Sequence, residues 1–269
     1  MWDLSDIRRP VEKELQRFES ELVESCSSEA VSKSVLGSVL PMTEGKRLRP
    51  MLVFLFAKLF GDSNESTHRA ALFVEMLHTA TLIHDDIVDG SAVRRGKPAV
   101  HIQWDVPSAV LTGDFLLAKA MLLLSNDEDL PLLQELLVTI LAMSEGELMQ
   151  KRSKKLEARS KEEYLEVIQR KTAMLFRSCC VVGALSVHAS SAVFPLIADF
   201  GLHLGFVFQM RDDILDQDDP ASVAYAEALF PQYFEKAQTA LNLLTPNVKD
   251  QESMVALEAL LCFCAQRNV

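Results

Sequence analysis

Between residues 66 and 89, Ala70, Phe73, Val74, Leu77, Ala80, Thr81 and His84 recur at spacings of three and four. Such spacing lines up one stripe of an α-helix, whereas a strand would alternate every second residue. Gly90 stands where that helix should stop. The same period predicts helices over 108–125, 130–150, 161–188, 192–217, 221–242 and 251–266, with further ones over 3–26, 28–40 and 51–60. Pro41 ends the second of these early helices, and Pro50 suits a first helical turn, where its missing N–H is not needed. Strand alternation persists nowhere, and no repeat of fixed period appears. With ten glycines and ten prolines in 269 residues, the chain has few signals for loops. Gly113, Gly146, Gly183, Gly201 and Gly205 fall inside helical segments and predict close helix packing there, not breaks. The expectation is a single all-α domain over 1–269, with roughly ten or more helices around a core. Several helices are apolar on more than one face, as a helix surrounded by others must be.

Apolar residues make up 49% of the chain, enough for a sizeable core without staples. A net charge of −11 argues against nucleic acid as a partner. It leaves anionic small substrates open, because a local patch or a bound cation can invert the field. Five cysteines, an odd number with no C-x-x-C pair, read as buried thiols. The start MWDLSDIRRP has no cationic stretch followed by an apolar one, and no apolar run approaches a membrane span of about twenty residues. A soluble cytoplasmic protein is therefore expected. KRSKK at 151–155 reads as a solvated helix end.

Chemistry enters with HDDIVDGSAVRRGKP, residues 84–98. Asp85 and Asp89, four apart, share a helix face with Asp86 beside them. Taken alone, this is either a solvated acidic helix end or a cation site. Asp212, Asp213 and Asp216 repeat the D-D-x-x-D spacing at the end of another apolar helix, and Gln209 lies one turn before Asp213. Two such clusters favour metal: hard cations such as Mg²⁺ take carboxylate oxygens together with water and substrate phosphates. Several ions held between two clusters would suit a diphosphate. The cations Lys46, Arg47 and Arg49 in GKRLRP, and Arg94, Arg95 and Lys97 after the first cluster, suggest a second anion site held directly by basic side chains. His78 lies two turns before Asp85, either as a satisfied core histidine or as a donor to that second anion. Lys171 and Thr172 sit in apolar surroundings, where a lysine needs a partner. Phosphate-binding glycine loops and nucleophile elbows are missing, so metal and electrostatics must drive the chemistry.

In order along the chain, GKRLRP, LIHDDIVDGSAVRRGKP, LTGDFLLAKA, EGELMQ, KTAMLF and GLHLGFVFQMRDDILD resemble the trans-polyprenyl diphosphate synthases, of geranylgeranyl or longer-chain type, over residues 40–217. The resemblance implies the isoprenoid synthase fold, with antiparallel helices surrounding a central cavity, and a Mg²⁺-dependent prenyl transfer. An allylic diphosphate ionises, the double bond of isopentenyl diphosphate attacks the cation, and a proton leaves. By motif position, Asp85, Asp89 and Asp212 would be metal ligands, supported by Asp86, Asp213 and Asp216. Lys46, Arg49, His78 and Arg95 would bind isopentenyl diphosphate. Arg94, Lys171, Thr172 and Gln209 would meet the allylic diphosphate or the cation. A growing chain would descend past Leu77, Ala80 and Thr81, and the small Ala80 and Thr81 predict a product of geranylgeranyl length or longer. The family also implies a homodimer. It normally continues after the second aspartate cluster with a segment containing glycine and lysine; here DPASVAYAEALF follows from Asp219, and on the order of fifty residues look absent. That departure keeps a rival in view, a non-catalytic partner subunit of a prenyl diphosphate synthase. A class I terpene cyclase is a second rival, although its second metal motif is built on Asn, Ser and Glu.

Overall fold

The computed structural model describes residues 3–27, 45–153 and 160–266. The helix expected over 28–40 and part of KRSKK lie outside these residues. The described chain is helical almost throughout. Its helices are α1 (Leu4–Arg8), α2 (Glu12–Ser25), α3 (Leu48–Phe60), α4 (Glu65–Asp89), α5 (Val100–Gln103), α6 (Val106–Leu123), α7 (Leu130–Ser153), α8 (Lys161–Ile168), α9 (Met174–Ser186), α10 (Phe194–Asp216), α11 (Pro220–Leu244) and α12 (Gln251–Gln266).

The core forms around α3 and α9. Of the thirteen residues of α3, eleven are buried, from Leu48 to Phe60. Each large apolar side chain removed from water there contributes about 1.5–3 kcal/mol. Lys58, the one lysine in this apolar helix, reaches out to Glu14 Oε1 at 3.1 Å and to the carbonyl of Pro10 at 2.5 Å. In α9, Leu175, Phe176, Cys179, Cys180 and Val182 face inward, and the helix packs on α3, α4, α7 and α10. The five cysteines are all free thiols.

Three expectations change. Residues 3–26 do not form one helix: Pro10, which has no N–H to donate, falls in a 3₁₀ turn over Arg9–Val11 between α1 and α2. The segment 161–188 is likewise interrupted, by a π-helical turn over Gln169–Ala173 between α8 and α9. A short antiparallel hairpin pairs Val93 with Pro98 and Arg94 with Lys97. Its turn residues Arg95 and Gly96 both have positive φ, 50° and 74°, as a type I′ turn demands. In addition, two helices, Val106–Leu123 and Ser191–Asp216, are long and apolar enough by length and composition to cross a bilayer, against the expectation from the sequence. Both pack against neighbours in the bundle, α6 on α4 and α10 on α9 and α11.

The glycines inside helices do mark close approaches. A Cβ at Gly205 would stand 2.4 Å from Ala173 Cα, and one at Gly146 would stand 2.7 Å from the backbone nitrogen of Lys171. α10 and α7 therefore close on the π turn from two sides.

Candidate active site

The first aspartate cluster ends α4. Asn64 and Thr67 form a capping box at the start of that helix, and Gly90, at φ 68°, closes its C-terminus in the left-handed conformation. Within this frame the three aspartates separate. Asp85 lines a cavity of about 440 Å³. Asp86 turns inward and is almost fully buried. Arg94, on the hairpin, donates to Asp86 Oδ1 from Nε at 2.9 Å and more closely from Nη2. The guanidinium expected to meet the allylic diphosphate is thus bound to Asp86, and the pair ties the hairpin to α4. The second oxygen of Asp86 is buried with no hydrogen-bond partner among the described residues.

The cavity gathers residues from six segments. Arg49 comes from α3; Leu77, His78, Thr81, Asp85 and Val88 from α4; Leu117 from α6; Ile140, Met143, Ser144, Glu147 and Leu148 from α7. Lys171 and Thr172 come from the π turn and Leu175 from α9. A π turn carries one residue more per turn than an α-helix and recurs at functional sites. Arg49 lies over the Phe176 ring at 5.1 Å, and its Nε is buried without a hydrogen-bond partner among the described residues. Burial lowers the pKa of this guanidinium, with Cys179, Glu75 and Asp212 opposing it. Asp212, at the end of α10, is therefore close enough to act on Arg49 electrostatically. His78 is held neutral, its pKa pushed well down by burial and by Arg49, Arg95 and Arg94. Asp85 is pushed up to about 6, mainly by burial, with Lys171 opposing and Glu147 and Asp89 adding to the rise.

Lys171 pairs with Glu147 and donates to Gln150 Oε1 at 2.8 Å. Both partners lie in the EGELMQ segment, although reading the sequence assigned neither a role. Thr172 Oγ1 donates to Gln209 Oε1 at 2.9 Å, and Gln209 Nε2 donates to Asp213 Oδ1 at 3.0 Å. The other oxygen of Asp213 accepts from the Tyr164 hydroxyl at 2.7 Å. Asp213 is thus held between α8 and α10, with both oxygens engaged. Tyr164 was not anticipated from the sequence, because nothing local marks a tyrosine 49 residues from its partner.

Arg95 is drawn to the α3 loop, where a Cβ on Gly45 would lie 3.2 Å from its Nη2. Lys46 is exposed, its Nζ 5.3 Å from the Phe263 ring centre. Leu77 and Thr81 line the cavity, whereas Ala80 is fully buried in the core cluster. One residue is 100° of helix rotation, so Ala80 turns off the stripe that carries Leu77, Thr81 and Asp85.

Among the described residues no three acidic, histidine or cysteine side chains converge closely enough to hold an ion unaided. Mg²⁺ characteristically takes only one or two carboxylates and fills its shell with water and substrate phosphate oxygens. The half-buried carboxylate of Asp85, which lines the cavity, and the orphaned oxygen of Asp86 fit that mode of binding.

A family profile described as polyprenyl synthetase matches residues 34–224, well over half of the chain. The chain belongs to the polyprenyl synthetase family. Among family relatives, the geranylgeranyl diphosphate synthase of Sulfolobus acidocaldarius is 36% identical over 226 residues, 80% of this chain and 68% of the relative. That of Methanosarcina mazei is 38% identical over 184 residues, 66% of this chain and 57% of the relative. The chain thus spans between about half and two thirds of the length of such relatives. A polyprenyl synthase from Caulobacter crescentus, solved in complex with calcium and isoprenyl diphosphate, superposes with a TM-score of 0.88. The two are 28% identical, and the alignment covers 99% of this chain and 98% of the other. The all-α isoprenoid synthase fold expected from the sequence is confirmed.

Proposed function

We propose that the protein is a Mg²⁺-dependent prenyltransferase that joins isopentenyl diphosphate to an allylic diphosphate, head to tail and in trans, giving a prenyl diphosphate of geranylgeranyl length or longer. One observation carries this reading. A single cavity has polar groups at one end, Asp85, Arg49, His78, Lys171 and Thr172, and a lining of Leu77, Leu117, Ile140, Met143 and Leu175 beyond them. A diphosphate with a hydrocarbon tail needs that combination.

Asp85, Asp89 and Asp212 are the proposed metal ligands, with Asp86, Asp213 and Asp216 in support. Bound Mg²⁺ would neutralise charge on the departing diphosphate. The chain's own groups do the rest. Thr172 and Gln209 present oxygen dipoles at the π turn, where a developing allylic cation would be stabilised. Lys171 meets the allylic diphosphate, and Arg94 does so with the guanidinium edge not engaged by Asp86. Lys46, Arg49, His78 and Arg95 hold isopentenyl diphosphate. Neutral His78 donates a hydrogen bond without adding charge near the cation. The apolar lining excludes water, which would otherwise quench the cation. The phosphate oxygens of the departed diphosphate are the proposed base.

A homodimer is part of this proposal. Val110, Leu111 and Leu122 on α6, and Leu137, Val138 and Leu141 on α7, are exposed apolar side chains that a second copy would cover. We place the protein in the cytoplasm, in keeping with its free thiols. The three-residue link Gln217–Asp219 between α10 and α11 supports the view that one domain lacks the family's segment after about residue 219.

The decisive experiment is a prenyl-transfer assay with Mg²⁺ comparing wild type with Asp85→Ala. Activity in the wild type and its loss in the variant are expected. Equal activity in both overturns the site, and no activity in either favours the partner-subunit reading. With farnesyl diphosphate as starter, products ending at farnesyl refute the proposed length.

A further inference from the structure

Arg47 differs from the cations on either side of it. Lys46 is exposed and Arg49 lines the cavity, whereas Arg47 is buried away from it. Its backbone is left-handed, with φ 55° and ψ 34°, a conformation that a non-glycine residue keeps only where its surroundings enforce it. Those surroundings are two carboxylates. Nε and Nη2 donate to the two oxygens of Glu19 at 2.6 and 2.8 Å, and Nη1 donates to Glu75 Oε1 at 2.9 Å. The guanidinium also lies over the Phe18 ring at 5.9 Å. Glu19 and Phe18 belong to α2. Glu75 is buried on α4, three residues before His78 and ten before Asp85. One side chain therefore joins α2, the start of α3 and the helix that carries the first aspartate cluster.

We propose that Arg47, clamped by Glu19 and Glu75, is a positioning residue that aims Lys46 and Arg49 at the diphosphate of isopentenyl diphosphate. This inference rests on the transferase reading of the site. Arg47 itself touches no substrate. The chain must turn sharply between Lys46 and Arg49 for both to serve one anion, and the left-handed residue between them makes that turn. Three charge-assisted hydrogen bonds from a planar fork hold the turn, and a lysine in its place has no such fork.

Steady-state kinetics, varying each substrate separately, tests this with Arg47→Lys, Arg47→Gly, Glu19→Gln and, as a control, Lys46→Ala. Arg47→Lys is expected to raise KM for isopentenyl diphosphate about tenfold, with KM for the allylic substrate unchanged. Arg47→Gly adopts positive φ freely and so separates backbone from clamp; it too is expected to raise that KM, and a wild-type value overturns the role of the clamp. Glu19, at 43% exposure the more open partner, can be changed with little risk to folding. Glu19→Gln is expected to raise the same KM about threefold. A lower melting temperature with both KM values unchanged, or equal rises in both, would show a merely structural role and refute the proposal. If Lys46→Ala raises KM for isopentenyl diphosphate while no Arg47 or Glu19 variant does, the positioning role alone fails. If Lys46→Ala has no effect, the transferase reading of this anion site fails, and the proposal with it.

Discussion

Gly205→Ala probes the link between helix packing and chemistry most directly. The new Cβ would stand 2.4 Å from Ala173 Cα, 2.9 Å from Ala173 Cβ and 3.2 Å from the Ala173 carbonyl oxygen. Carbon atoms make ordinary contact at about 3.5–4.0 Å, so α10 must retreat from the π turn by about 1 Å. The obstacle is backbone, and no side-chain rotamer can relieve it. The retreat acts on the Thr172–Gln209 hydrogen bond, now 2.9 Å, and stretches it beyond bonding distance. It also shifts Asp212 and Asp213 relative to Lys171. We predict a stability loss of about 1–3 kcal/mol, as overpacking commonly causes. In a chain of this size each kcal/mol lowers Tm by about 2–4 °C. Activity should fall further than stability. A misplacement of about 1 Å in a site of this kind costs about a hundredfold in kcat, or about 2.7 kcal/mol of barrier. Gly183→Ala supplies the control. Its Cβ would meet the Val53 carbonyl oxygen at 2.3 Å, an equal insult between α9 and α3 that leaves the π turn alone. Melting curves and prenyl-transfer kinetics on both variants read the difference. The expected outcome is a similar loss of Tm, with kcat reduced about a hundredfold only in Gly205→Ala. Native kcat in a folded Gly205→Ala, or equal losses of kcat in both variants, would refute the reasoning.

Tyr164→Phe removes the hydroxyl that donates to Asp213 at 2.7 Å; kcat is expected to fall about tenfold with the circular dichroism spectrum unchanged, and an unaltered kcat would exclude a role for that hydrogen bond. Asp85→Asn should stabilise the protein in chelator, because the folded pKa of Asp85 lies above its ordinary 3.8, at about 6. The carboxylate's penalty is absent below the unfolded pKa and complete above the folded one, so the Tm advantage of the variant should grow between about pH 4 and about pH 6 and then level off. A rise of that size bounds the advantage at about 3 kcal/mol, and a difference independent of pH would contradict it. Thr81→Phe places an aromatic ring in the cavity one turn below Asp85; product analysis by chromatography should show shorter prenyl diphosphates than wild type, and an unchanged distribution would remove Thr81 from the wall of the channel.

The all-α architecture was legible in the apolar period alone, because a stripe at 3.6 residues per turn permits no other element to bury it. Gly90 as the end of α4 and the two D-D-x-x-D turns were equally plain, since the spacing of side chains on one helix is a local property. A period describes the angle between side chains and leaves open which angle meets a neighbour. Only packing decided that Thr81 faces the cavity while Ala80 faces the core, and that Arg49 points inward while Arg47 is locked to Glu19 and Glu75. The π turn that presents Lys171 and Thr172 left no trace in the hydrophobic pattern, because it arises where α7 and α10 press close through Gly146 and Gly205. Which aspartates are engaged was also a tertiary matter: Asp86 is held by Arg94 across the hairpin, and Asp213 by Tyr164 from another helix. The chain determined its helices and its stock of charges by itself. The fold assigned those charges their partners, because a buried carboxylate must be satisfied by whatever group the packing of distant segments brings within about 3 Å.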